Sequence, residues 1–160
     1  MEDVLLSLLP QAFARQSTVL VWMDLENRRL VLTVIAICIG ACVGALSRWQ
    51  LGLWLNPSPA SGSLLPWGTL AANLIGGYLV GVCVGVFQQL PELDPVWRLA
   101  LVTGFLGALT TFSSFSAEVV AMLQQGRFAL AAGTASLHLL GSLGLTLLGL
   151  KTVGLFWARH

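Results

Sequence analysis

Four groups of polar side chains interrupt the apolar stretches of this chain, and each is of a type that can handle a small ion. Arg48 closes the segment Gly40-Ala-Cys-Val-Gly-Ala-Leu-Ser-Arg48. Its guanidinium either snorkels to a polar boundary or draws anions into a vestibule. Asn73 follows Thr69 by four residues, on the same face of a helix. Its amide either joins neighbouring helices or offers N–H donors to a dehydrated anion. The densest group is Gly107-Ala-Leu-Thr-Thr-Phe-Ser-Ser-Phe-Ser-Ala-Glu118. Paired threonines, three serines and an upstream glycine disfavour a continuous helix, so a break is expected from Gly107 to Thr111. Carbonyls freed at such a break must be satisfied inside the protein, and a cation such as Na⁺ can do so. Phe112 and Phe115 share a face of the helix beyond. Their ring edges carry positive charge that a small bare anion can meet; the plainer reading is packing or lipid contact. Glu118 lies on about the same face, where a carboxyl group must be neutral, paired or wet. Finally, Thr134, His138 and Ser142 recur every four residues. They form either a hydrogen-bonding track or hydroxyls bonded back onto their own helix.

These groups sit in a chain that water cannot cover. Of its 160 residues, 56% are hydrophobic and 9% charged, and the mean hydropathy is +0.84. Soluble domains carry about 25% charged residues, so a soluble enzyme and a disordered regulator are excluded. Eight Lys+Arg against seven Asp+Glu leave a net charge of +1, which gives no basic field for nucleic acid. No nucleophile–base pair, phosphate loop or redox motif is present, and the chain is expected not to be an enzyme. Cys38, Cys42 and Cys83 read as small hydrophobes rather than a disulfide framework, and neither His138 nor His160 has paired cysteines for zinc.

The elements that position the polar groups are four apolar stretches, about Leu30–Leu55, Trp67–Leu90, Val96–Leu123 and Phe128–Val153. Each can cross a ~30 Å hydrocarbon core as a helix. The expected fold is therefore an all-α integral membrane bundle of four transmembrane helices, the third broken near its middle. Turn-rich connectors separate the spans at Asn56–Ser63, Pro91–Pro95 and Gln124–Arg127, and Trp49, Trp54, Trp67, Trp97 and Trp157 cluster near the ends as an interfacial belt. Residues 30–160 form the expected four-span domain. Residues 1–29 form an extension that begins with acidic Glu2 and Asp3, unlike a signal peptide. It reads as an interfacial helix or as sequence ahead of a true start at Met23.

Glycines at Gly40 and Gly44, and at Gly77, Gly81 and Gly85, line helical faces at every fourth residue. Such faces bring helices close, within one subunit or between two. Four spans place both termini on one side. That side holds Arg15, Arg28, Arg29, Arg98, Lys151 and Arg159, against Arg48 and Arg127 on the other. The bias puts the termini in the cytoplasm.

The segments Trp67-Gly-Thr-Leu-Ala-Ala-Asn73-Leu-Ile-Gly-Gly77, Thr103-Gly-Phe-Leu-Gly107-Ala-Leu-Thr110-Thr-Phe112-Ser-Ser-Phe115 and Gly40 to Trp49 resemble the signatures of the Fluc (CrcB) fluoride channel family. The resemblance covers roughly residues 30 to 153. It implies a fluoride-specific ion channel that lets F⁻ leave the cytoplasm passively, protecting against fluoride toxicity, in the bacterial inner membrane. It further implies an antiparallel, dual-topology homodimer. By the same resemblance Asn73 donates to the ion, Phe112 and Phe115 present ring edges, and Thr69, Thr134, His138 and Ser142 form a polar track. Glu118 stands at one pore end and Arg48 at a vestibule. Backbone carbonyls of Gly107 and Thr110 are implied to hold a structural Na⁺. Two departures stand out. His138 takes a place where a hydroxyl is more usual, so conduction is expected to depend on pH. The basic bias also sits awkwardly with dual topology. The alternative reading is a proton-coupled small multidrug exporter, which requires an embedded acid in a drug pocket; the embedded acid here, Glu118, lies in the third span rather than the first.

Overall fold

The computed structural model describes the backbone of residues 2–56 and 65–158, with side chains described from residue 26 onward. Residues 57–64, which hold most of the first connector, and the side chains of Arg15, Arg159 and His160 lie outside the described residues. The elements are α1 (Glu2–Leu55), α2 (Trp67–Gln89), α3 (Pro95–Arg98), a π-helical stretch (Leu99–Leu106), α4 (Gly107–Leu109), α5 (Phe112–Gln124) and α6 (Phe128–Trp157). Among the described residues, four segments are long and apolar enough to cross a membrane: Glu26–Leu55, Trp67–Gln89, Pro95–Gln124 and Phe128–Trp157. The chain divides into two units, Met1–Ile35 and Ala36–His160, with the division falling inside α1.

Local chemistry sets the ends. The Asp94 side chain accepts from the Val96 N–H at 2.9 Å and Pro95 opens the third span, which therefore begins one residue before the sequence pattern suggested. Gly126, at φ 70°, makes the reversal into α6, a conformation that side-chain-bearing residues rarely adopt. The last span runs on to Trp157, past the expected Val153.

The third span is the irregular one. Its first half widens into a π-helix, a geometry that is rare and concentrates at functional sites. It then breaks where expected: Thr110 is extended (φ −80°, ψ 154°), as is Thr111 (φ −150°, ψ 117°). The Thr111 hydroxyl caps α5 by accepting from the Ser114 N–H at 3.2 Å.

Glycine faces hold this second unit together from within. A side chain at Gly40 would strike the Ala100 carbonyl, and one at Gly44 the Phe105 carbonyl. Along the α2–α6 seam, Gly81 faces the Thr146 carbonyl and Gly149 faces that of Tyr78. The sequence left open whether these faces join helices within or between subunits; both serve the single chain. Large side chains such as Ile39, Leu139, Leu140 and Leu147 point outward and are exposed, which suits lipid as the surrounding solvent.

Candidate functional site: a cavity among the last three spans

The break in the third span is bound by a side chain from α2. The Thr111 N–H donates to Asn73 Oδ1 at 2.8 Å, and Asn73 Nδ2 donates back to the Thr111 carbonyl at 3.1 Å. Asn73 thus satisfies both backbone groups of one extended residue, as a neighbouring strand would. A backbone N–H can only donate, so this pairing fixes which end of the amide is oxygen. The second Nδ2 hydrogen points to His138 Nδ1 at 3.1 Å.

His138, on α6, is 5% exposed. Its ring packs 4.7 Å from that of Phe115, which lies 5.5 Å from Phe112 at an interplanar angle of 55°. A cavity of about 340 Å³ is lined by Asn73, Thr110, Phe112, Phe115, His138 and Ser142, together with Thr111 and Thr146. Phe112 is 79% exposed, so one wall of the site faces outward from the chain.

Thr69, Glu118, Thr134 and Arg48, also singled out in the sequence, lie outside this lining, whereas Ser142 belongs to it. The Thr69 hydroxyl donates to Glu118 Oε1 at 2.6 Å, joining α2 to α5, and the buried Glu118 Oε2 has no partner. Thr134 is 3% exposed and donates to Met122 Sδ at 3.6 Å. Ser142 reaches the Asn73 carbonyl at 3.5 Å. Neither hydroxyl turns back onto its own helix. Arg48 is half-buried on α1 and contributes no hydrogen bond to the cavity.

Two residues of the cavity lining were not among the site residues expected from the sequence. Thr111 is the most connected residue of the break; the sequence placed it at the end of the expected break without giving it a part in the site. Thr146 continues the four-residue stripe beyond Ser142. Its hydroxyl lies 2.9 Å from the carbonyls of both Gly77 and Ser142 and shares its one hydrogen between the seam and its own helix.

The break also frees carbonyls. The N–H groups that a continuous helix would give to the carbonyls of Gly107 and Thr110 belong to Thr111 and Ser114. These donate instead to Asn73 Oδ1 and Thr111 Oγ1. Backbone oxygens that have lost these helical donors suit a hard cation. The described residues contain no cluster of three metal-ligating side chains.

Four membrane-length helices, with a break at mid-span and a cavity edged by polar groups beside it, define a multi-pass membrane protein. The chain belongs to the CrcB-like family, whose model, described as "CrcB-like protein, Camphor Resistance (CrcB)", matches residues 35–150. It is 73% identical over 124 residues to the fluoride-specific ion channel FluC of Albidiferax ferrireducens, covering 78% of this chain and 92% of that one. It is 59% identical over 128 residues to FluC of Paracidovorax citrulli (80% and 98% covered). To FluC of Pseudomonas aeruginosa it is 54% identical over 118 residues (74% and 91% covered).

Proposed function

We infer that this protein is a fluoride-specific channel of the bacterial inner membrane, through which F⁻ leaves the cytoplasm down its gradient. The observation that carries the reading is the cavity itself, in a chain so similar to channels of that name. Polar side chains and phenyl rings converge there, and no lysine or arginine lines the cavity to trap the ion. Fluoride is small and strongly hydrated, so a pathway must replace its water without holding it too tightly to leave. The Ser142 hydroxyl and the groups around Asn73 and His138 supply polar contacts at the cavity, and Thr134 adds a hydroxyl about one turn away on α6. Phe112 and Phe115 supply the electropositive rim of aromatic rings. Thr69 and Glu118 continue the polar line toward one end, and Arg48 serves an approach.

The working unit in this reading is an antiparallel homodimer of dual topology, built from residues 30–160, with residues 1–29 as an appendage. Support comes from the outward-facing Phe112, which leaves the cavity half-walled by one chain. Further support comes from the freed carbonyls: Gly107 and Thr110 supply two oxygens per chain, and a second copy would raise the number to four. A Na⁺ held there would add a fixed positive charge beside the pathway.

The test is fluoride efflux from liposomes holding the purified protein, beside a chloride control and without a pH gradient. Rapid, electrogenic, fluoride-selective efflux is expected. Silence, or flux only when a proton gradient is imposed, would overturn the channel reading and return the exporter.

A further inference from the structure

Buried polar atoms almost always find a partner, so the exceptions call for a reason. Among the described residues two buried side-chain atoms have none: Glu118 Oε2 and His138 Nε2. The histidine is the more informative, because its chemistry is fixed by its surroundings. Asn73 Oδ1 must face the Thr111 N–H, so Nδ2 faces His138. An amide nitrogen carries only donors, hence His138 Nδ1 must be the acceptor. In the neutral imidazole the ring hydrogen then sits on Nε2. That N–H is the atom left buried and unpaired.

The same network removes Asn73 from the role its residue type suggests. One of its amide hydrogens goes to the Thr111 carbonyl and the other to His138. Giving either to an ion would release the break or the ring. His138, by contrast, is held in place by Asn73 at one nitrogen and by the Phe115 ring 4.7 Å away, and its second nitrogen is uncommitted. We propose that Asn73 acts as a positioning residue that locks His138 in the Nε2–H tautomer, and that this buried N–H is a donor the passing anion takes up. The inference rests on the fluoride-channel reading and goes past it, since it moves a donor from α2 to α6.

Two substitutions separate the nitrogens. His138→Asn keeps an amide where Nδ1 stands and has nothing at Nε2; His138→Gln reaches the Nε2 position with an amide N–H. Fluoride efflux should fall at least about tenfold in the first and stay within about threefold of the parent in the second, the size expected for one lost buried donor. A direct readout needs no folding assumption. The chain has two histidines, so ¹⁵N NMR of the His160→Gln protein reports His138 alone. It should show a protonated Nε2 and a bare Nδ1, and the Nε2–H signal should move with NaF but not with NaCl. A protonated Nδ1, an Nε2–H signal indifferent to NaF, or parental efflux in His138→Asn would each overturn the proposal. Absence of efflux in the parent protein would instead strike the channel reading, while the NaF titration still decides the donor.

Discussion

One stripe of α2 performs two opposite tasks. Thr69, Asn73, Gly77, Gly81 and Gly85 follow one another every four residues along a single face. Toward the start of the helix the stripe is polar and reaches outward, Thr69 to Glu118 and Asn73 to Thr111 and His138. Toward its end the stripe is bare, and α6 closes on it so tightly that a side chain added at Gly77 or Gly81 would meet its backbone, and one at Gly85 the Val153 side chain. The opposing stripe on α6, Thr134, His138, Ser142 and Thr146, stays polar throughout. The cavity opens from Asn73 to Gly77 on α2, opposite His138, Ser142 and Thr146; at Gly81 backbone meets backbone. The seam fixes the distance at which the polar groups can face one another, so the empty half of the stripe sets the geometry of the filled half.

The largest effect is expected from breaking the seam. In Gly81→Val the new side chain falls on the Thr146 carbonyl, and rigid overpacking of this kind costs about 3 kcal/mol or more. Size-exclusion chromatography should show loss of the folded protein, and a native profile would mean that the seam is looser than described. Next comes the polar half. Asn73→Asp places a carboxylate oxygen against the Thr111 carbonyl and His138 Nδ1, acceptor against acceptor. Fluoride efflux should fall by at least about 100-fold, as for an uncompensated buried charge. Efflux near the parent rate would remove Asn73 from the pathway. The smallest effect belongs to the outermost pair. Thr69→Val removes the hydroxyl that Glu118 accepts from, and should lower stability by about 1 kcal/mol in a thermal unfolding series. An unchanged melting temperature would make that bond dispensable.

The same contrast explains what the sequence revealed. Helical spans are legible because hydrophobic length alone defines them, and the break at Gly107–Thr111 because its residues disfavour helix. Asn73, His138, Phe112 and Phe115 stood out as residue types that lipid does not tolerate idly or as a pair at helical spacing. Residues that act through their backbone did not. Thr111 matters for its N–H and carbonyl, which every residue but proline possesses, so its type carries little signal. The role of the glycines was also unreadable, since a small residue announces close approach without naming the partner. The ring tautomer of His138 depends on which amide faces it, and that depends on a contact 65 positions away in the chain.

The bond between Asn73 and Thr111 has a consequence for how the chain assembles. A lone third span entering lipid would have to leave the Thr111 backbone groups bare, or stay helical through Thr110 and Thr111. Neither condition holds once α2 lies alongside. The smallest unit in which the kink is chemically complete is thus the hairpin of the second and third spans. The chain would insert its third segment straight and bend it only on docking, so the irregularity that makes the pathway is a product of assembly.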